Sequence, residues 1–476
     1  MGKYKNLLVN IGLFGLNTVA TKLITFLLVP LYTWYMSATE FGITDMSVIV
    51  INLVMPLATL SIADATLRYA LDDVDRDKQY ITIGLLVVTL SCIIVLCCLP
   101  CLKMGVFGGL GSYSWLFLLS YAANAYQMFF NNVARAVNEV KIIPIASAVT
   151  ALSTGVLAYA FIGLMHSNIY GYFWSLIIGN ALGCLFYLLG GHLVRYLATV
   201  TLHECVQCLR PMLRYSLPLI PNALFWWVGT SINRFFITSM LGIAYSGLFA
   251  AASKIPSLLN IICGVFQQAW TLSAFQEYRR TNISGFFTKI FRVFQCGMVL
   301  SSAVIILLAP WFSRVMLQKE FYDSWVLVPT LIVAFYFNTM NAFFGTVYTA
   351  SMKTQTLFTT TVVGSVVIVA ATYLLLPVMG LQGACIAMVL SNFVVLVLRM
   401  WFSRRYIIVH VHWCTVLPSL IMLITQAVIM VNHIPNYKMW SFMIFTSICL
   451  IQIIDLSPVV KELLLSNAIK NSEKCK

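Results

Sequence analysis

Fourteen apolar runs, each about as long as a bilayer is thick, divide this 476-residue chain. They cover roughly 7–35, 43–69, 80–101, 112–134, 142–165, 171–194, 215–241, 245–274, 290–312, 326–351, 357–377, 383–403, 411–431 and 439–455. A helix needs about 20 apolar residues to cross the hydrocarbon. In lipid the backbone must satisfy itself, which a helix does within one segment. The chain is 61% hydrophobic and 9% charged, against about 25% charged for a soluble domain. The expected fold is therefore all-α: a polytopic membrane protein with about fourteen transmembrane helices. Very short connections within 142–194 and 357–403 predict two tight helical hairpins.

The net charge of +14 would suggest nucleic acid if it were clustered. Its distribution instead follows the loops. With the N-terminus placed inside, 21 of the 29 Lys and Arg residues fall in inner segments, and Lys103, Arg314, Lys319 and Lys438 fall outside. Lys22, Arg234, Lys254 and Arg399 lie within helices. Such a bias orients membrane proteins with the basic loops inside, so both termini are expected in the cytoplasm. Tryptophan favours the membrane interface. Trp34, Trp115, Trp174, Trp311, Trp325 and Trp440 fall at expected outer helix ends, and Trp270, Trp401 and Trp413 at inner ends. Trp226 and Trp227 fall deep in the seventh run.

The run after Met1-Gly-Lys-Tyr-Lys5 is far longer than a signal-peptide core and has no small-residue cleavage site, so the first helix is expected to stay. No loop is large enough for a nucleotide-binding domain, and no GxxxxGK phosphate loop occurs. The longest inner connection, 195–214, alternates Leu197, Val200, Leu202, Val206, Leu209 and Met212 with polar residues, as an interfacial helix does. It predicts a division into six-helix lobes at 1–194 and 215–407, joined by the linker 195–214, with an extra helix pair and cytoplasmic tail at 408–476. The outer turns Glu40-Phe-Gly42 and Tyr245-Ser-Gly247 are loosely alike, and many transporters are built from repeated halves.

Lys22, Arg234 and Lys254 interrupt runs that otherwise read as plain lipid-spanning helix. A cation at that depth costs at least ~2.5–3.5 kcal/mol on insertion scales and normally faces protein or water. By i, i+3, i+4 spacing, Lys22 shares a face with Thr18 and Thr25, Arg234 with Thr230 and Thr238, and Lys254 with Ala250 and Ser257, beside a kink expected at Pro256. Three such stripes suggest a cavity built for an anion; pairing of each cation with an acid or carbonyl is the structural alternative. Asp64 and Arg68 stand four apart at the inner end of the second run, acid before base. They read as an interfacial ion pair, or as a gate or ion-coupling site in which the carboxylate takes H+ or Na+.

Several ordered segments resemble a known family. Gly15-Leu-Asn-Thr-Val-Ala-Thr-Lys22, Leu28-Val-Pro-Leu-Tyr-Thr33, Glu40-Phe-Gly-Ile43 and Ala65-Thr-Leu-Arg68 are followed by Tyr215-Ser-Leu-Pro-Leu-Ile-Pro-Asn222, Asn233-Arg-Phe-Phe236, Gly247-Leu-Phe-Ala-Ala-Ala-Ser-Lys254 and Gln268-Ala-Trp270. In order and spacing this set resembles the Wzx-type polysaccharide flippases of O-antigen and capsule pathways. The resemblance covers residues 8–290, and the remainder matches by hydropathy. It implies the fold of the multidrug/oligosaccharidyl-lipid/polysaccharide exporter superfamily, with two six-helix lobes around a central cavity. It also implies a cargo of undecaprenyl-diphosphate-linked oligosaccharide, moved to the outer leaflet of the bacterial cytoplasmic membrane. The expected partners are membrane lipids, the polymerase and chain-length proteins of the same pathway, and H+ or Na+ as coupling ion, with no cofactor, metal or nucleic acid.

Other motifs carry less. Asp73-Val-Asp75 has sugar-transferase DxD spacing but sits in a short charged loop. Cys98-Leu-Pro-Cys101 has redox spacing without a βαβ context. His203, Cys205 and Cys208 would supply three zinc ligands without a clear fourth. Two further function classes bear on the chain. A drug or small-cation exporter of the same fold would favour acidic cavity residues, whereas this chain favours basic ones. A membrane polymerase or ligase would carry a large outer catalytic loop, which the sequence lacks.

Overall fold

The computed structural model describes residues 21–277 and 283–474. Seventeen α-helices, a further helical stretch at 21–27, a π-helical turn at Tyr159–Leu164 and several short 3-10 turns make up most of these residues, and no strand occurs among them. In chain order the helices are α1 Val29–Tyr35, α2 Ala38–Ala58, α3 Ile62–Asp72, α4 Asp77–Cys98, α5 Ser114–Ala136 and α6 Ile142–Ala158. They continue with α7 Asn168–Gly190, α8 Leu202–Ser216, α9 Leu219–Met240, α10 Ile243–Lys254, α11 Ser257–Glu277 and α12 Ile283–Met316. The last five are α13 Val328–Ala350, α14 Thr354–Met379, α15 Leu381–Ser403, α16 Trp413–Val431 and α17 Tyr437–Lys474.

Every apolar run contains helix. Eleven helices among the described residues are long and apolar enough to cross a membrane. The first run is described from Thr21 onward; residues 1–20, which include the basic start, Gly15 and Thr18, lie outside the described residues. The runs of α5 and α9 fall short on polarity: α5 carries Asn124, Gln127, Asn131 and Asn132, and α9 carries Asn222, Asn233 and Arg234.

Two runs are broken. Leu60 and Ser61 both take positive φ, 53° and 51°, which ends α2 and restarts the chain as α3. The kink expected at Pro256 is a full break between α10 and α11. Proline lacks the N–H and disfavours helical φ/ψ at Ile255, and the chain bridges it with bonds from Leu258 to Ile255 and from Leu259 to Pro256. Helix starts are encoded locally. Ser37 and Glu40 form a capping box at α2, and Thr201 and Glu204 form another at α8, each satisfying two otherwise orphaned N–H groups.

The chain packs as two compact units. The first runs to Ala251 and includes Met316–Phe321; the second comprises Ala252–Val315 and Tyr322–Lys476. In the first, the linker helix α8 is braced against α3 and α4. The Tyr69 hydroxyl donates to the Pro211 carbonyl at 3.1 Å and the Gln79 amide to Glu204 at 3.0 Å. Segment 316–321 is captured by α1 and α2: the Thr33 hydroxyl donates to the Met316 carbonyl at 2.7 Å, and the Ala38 N–H donates to Glu320.

The second unit is built round an aromatic stack. Trp270 lies on Phe343 at 5.0 Å, nearly coplanar, with Phe287 edge-on at 4.7 Å. Trp270 and Trp325 are therefore buried in protein, 3% and 5% exposed, and packed among side chains. The C-terminal pair α16 and α17 is fastened to α12. Arg292 holds Asp455 with two bonds of 2.7 and 2.9 Å, and Gln426 donates to the Ala303 carbonyl and the Ser441 hydroxyl.

Candidate functional site

In the first unit, α2 and α9 run antiparallel and are joined by two polar rungs. Asp45 and Ile49 are one turn apart on α2; Arg234 and Trp227 are two turns apart on α9. Arg234 Nε meets Asp45 at 3.4 Å, and Trp227 Nε1 donates to the Ile49 carbonyl at 3.0 Å. The Arg234 guanidinium also lies 4.9 Å above the Phe249 ring, a cation–π position. Arg234 and Asp45 are mostly buried, at 14% and 13% side-chain exposure. One long contact from Nε leaves both terminal amino groups of Arg234 without a bonded partner among the described residues.

Directly beyond this pair, α2 and α10 touch backbone to backbone. A Cβ on Gly42 would stand 2.3 Å from the Ile243 carbonyl, and a Cβ on Gly247 would stand 2.0 Å from the Ala38 carbonyl. The contact is reciprocal: each glycine meets the carbonyl four residues before the other. The two turns that looked loosely alike in sequence are thus partners in space, related by a local pseudo-two-fold.

Lys254 is the last residue of α10 and belongs to the second unit. Its side chain is half-exposed, and no carboxylate lies within ion-pair distance among the described residues. The negative end of the helix favours a cation there. Lys22 lies in a helical stretch, 21–27, and is exposed; Thr18 of its stripe is outside the described residues. On α9 the stripe passes from exposed Thr230 through Arg234 to buried Thr238.

The Asp64–Arg68 pair is not formed. Arg68 bonds forward to Asp72 at 3.0 Å, with both side chains more than half exposed. Both residues lie on α3, which begins at Ile62; Asp64 sits in its first turn, where exposed N–H groups favour a carboxylate. Arg68 lies a turn further on, beside Asp72. The cation whose field acts on Asp64 is Arg135, at the end of α5. The Arg68–Asp72 bridge is a surface pair worth under about 1 kcal/mol.

The remaining motifs resolve as structure. Glu204 closes the α8 cap; hydrogen bonds from Thr201 hold its carboxyl below the usual range. His203 pairs with Gln207. Burial raises the Cys208 thiol. No group of three His, Cys, Asp or Glu suited to a metal occurs among the described residues, and their cysteines are free thiols.

Two further cations enter the second unit. Arg292, which the loop distribution assigns to an inner segment, reaches Asp455. Arg399, placed within a helix by the sequence but outside the three stripes, is held by neutral acceptors, the Asn341 carbonyl at 2.8 Å and the hydroxyls of Thr360 and Thr361 at 3.2 Å.

The architecture is that of a multidrug/oligosaccharidyl-lipid/polysaccharide exporter. It is similar to the inward closed conformation of the lipid II flippase MurJ, with TM-score 0.72 and 13% identity over 95% of this chain and 99% of that one. It is also similar to a multidrug resistance MATE family transporter in its inward-facing conformation, at TM-score 0.68 and 16% identity over 81% and 94% of the two chains. An outward-facing MATE transporter matches at 0.60 and 16% identity, over 83% and 95%. At such identities the likeness establishes the fold. The profile of the family described as "Polysaccharide biosynthesis protein" matches residues 7–271, more than half of the chain, and the protein belongs to that family. No curated protein matches it.

Proposed function

We propose that this protein is a flippase for undecaprenyl-diphosphate-linked oligosaccharide repeat units. It moves them from the inner to the outer leaflet of the bacterial cytoplasmic membrane by alternating access, for O-antigen or capsule assembly. The observation that carries the reading is the family match over residues 7–271, a segment that contains Lys22, Arg234 and Lys254. A diphosphate brings about two negative charges to a depth where an unpaired ion is very costly. Arg234 with its free terminal donors, Lys254 without an acid partner and exposed Lys22 are the groups that replace its hydration. In this reading the topology follows the lobes 1–194 and 215–407, with both termini cytoplasmic and the polymerase and chain-length proteins as pathway partners. Asp64, under the field of Arg135, is the coupling carboxylate for H+ or Na+.

The test is reconstitution. Vesicles carrying an undecaprenyl-diphosphate oligosaccharide with a fluorescent sugar are assayed for loss of fluorescence to an impermeant reductant. Wild type is expected to expose the inner pool, and Arg234→Ala and Lys254→Ala to fail while still inserting. An imposed proton or Na+ gradient is expected to alter the rate, and Asp64→Asn to remove that dependence. Export of a lipophilic cation with no movement of the lipid-linked sugar would favour the drug-exporter reading of the same fold and refute this one.

A further inference from the structure

Where α15 ends and α16 begins, the chain crosses the membrane surface as an extended strap, residues 407–412. The strap is pinned to the start of α12. The Ile408 carbonyl accepts from Ser284, and the His410 N–H donates to the Thr288 hydroxyl at 3.0 Å. Beneath it is a cleft of about 370 Å³. Its floor is formed by Phe344 and Met400 with the buried Ser403, and its outer part carries Arg404, Ile408, His410 and Trp413. Phe344 is buried, whereas Arg404, His410 and Trp413 are exposed.

The chemistry of this cleft is graded along its depth: hydrocarbon contacts inside, a cation and a second nitrogen donor at the mouth, and an indole of the type that sits among lipid headgroups. No acid lines it. The neighbouring Arg405 turns away, its guanidinium 5.8 Å over the Phe402 ring, so Arg404 is the cation given to the cleft. Both flanking helices meet the length and apolarity needed to span, which fixes the mouth at headgroup level. The Lys and Arg distribution places that level in the inner leaflet. Basic pockets between spanning helices on that side suit anionic headgroups.

We infer that this cleft is a binding site for an anionic phospholipid of the bilayer, with its headgroup phosphate on Arg404 and His410 and the upper part of an acyl chain against Met400 and Phe344. The strap keeps the site formed, so the lipid meets a preorganised surface. The site lies within the second unit and is independent of the transport reading; its failure would leave that reading intact.

The full-length protein in detergent, stripped of lipid, is titrated with dioleoyl-phosphatidylglycerol or dioleoyl-phosphatidylcholine, and retained lipid is read by native mass spectrometry. Wild type is expected to favour the anionic lipid, and Arg404→Ala/His410→Ala to weaken its binding roughly five- to tenfold. Arg405→Ala, which removes a charge beside the cleft and not in it, is expected to bind as wild type. Met400→Trp fills the floor without changing charge and is expected to abolish retention with an unchanged melting temperature. Equal loss from Arg405→Ala would mean diffuse attraction and would overturn the site, as would full retention by Met400→Trp. Inorganic phosphate displacing the lipid at equal concentration would reassign the cleft to a free anion, and tighter binding of a prenyl diphosphate than of phosphatidylglycerol would reassign it to a transport intermediate.

Discussion

The reciprocal glycine contact between α2 and α10 gives the sharpest prediction, because its sign is unusual. Gly→Ala within a helix ordinarily stabilises by about 0.5–1 kcal/mol, through lower entropy of the unfolded chain. At Gly42 the added methyl would stand 2.3 Å from a backbone carbonyl and 3.1 Å from the Gly247 nitrogen. Ordinary contact requires about 1 Å more separation. The opposing atoms are main chain in a helix, so no rotamer relieves the clash. Overpacking of this kind costs about 1–3 kcal/mol. Set against the helix gain, the expected net is a loss of about 1 kcal/mol from the closed seam, roughly a five- to tenfold shift toward separated helices. The assay is hydrogen exchange of amides 38–47 and 243–250 in reconstituted protein. Both stretches are expected to lose protection by roughly that factor in Gly42→Ala and in Gly247→Ala, while α14 and α15 keep theirs. Gly42→Ala/Gly247→Ala should cost less than the sum of the two, since both methyls strain the same contact. A Gly42→Ala protein that is as protected as wild type, or more so, would refute the seam.

Four further outcomes follow from named contacts. Arg292→Ala leaves the Asp455 carboxylate buried at 2% exposure without its partner, which costs about 3–5 kcal/mol; a melting-temperature change equivalent to under about 1 kcal/mol would contradict the fastening of α16 and α17. Arg234→Ala likewise strands Asp45, so Arg234→Ala/Asp45→Asn should recover stability without recovering transport, and Arg234→Lys should keep part of both; recovery of transport in the double variant would remove Arg234 from the binding site. Lys254→Ala breaks no ion pair among the described residues, so its stability should stay within about 0.5 kcal/mol of wild type while transport is lost; normal transport would exclude it. The lowered Glu204 carboxyl stabilises the α8 cap above its unfolded value of 4.5, and that contribution is lost as pH falls through the lower folded value; amides 202–206 should show smaller protection factors, each referred to the intrinsic exchange rate at its own pH, at about pH 3 than at about pH 6, and Glu204→Gln should flatten the difference.

What the sequence disclosed divides along a physical line. Spanning runs are local sums of transfer free energy, and each contains helix. Pro256 announced its break because proline acts on its own backbone, whereas Leu60 and Ser61, whose positive φ breaks the second run, carry no such signature. Four-residue spacing offers Arg68 two acids on α3, Asp64 and Asp72, and does not choose between them. Hydropathy does not distinguish lipid from protein interior, so it does not show that Trp270 and Trp325 are packed inside the protein. Asp45 was legible in principle. It stands about 10 Å into α2 from the Ala38 end, and Arg234 about 9 Å from the Met240 end of α9, so matching depths would have paired them. Arg292 and Asp455 are separated by 163 residues, and nothing local joins them.

The two buried Arg–Asp pairs show why a cation's presence alone does not define a site. Arg292 and Asp455 bond at 2.7 and 2.9 Å, with Asp455 also accepting from the Thr415 hydroxyl at 3.0 Å. A carboxylate held by two parallel N–H bonds and a hydroxyl has its charge and lone pairs engaged, and a competing anion would gain little there. Arg234 and Asp45 meet through one atom pair at 3.4 Å, beyond the usual length of a charge-assisted bond. Asp45 keeps the guanidinium charged and aimed while most of its donors stay free. In the proposed reading, an arriving phosphate oxygen bonds those donors without first displacing Asp45, so neither charge is left unpaired. Such a loosely held pair suits a site that must bind and release a charged cargo once per cycle. The tightly held one suits a joint that must not move.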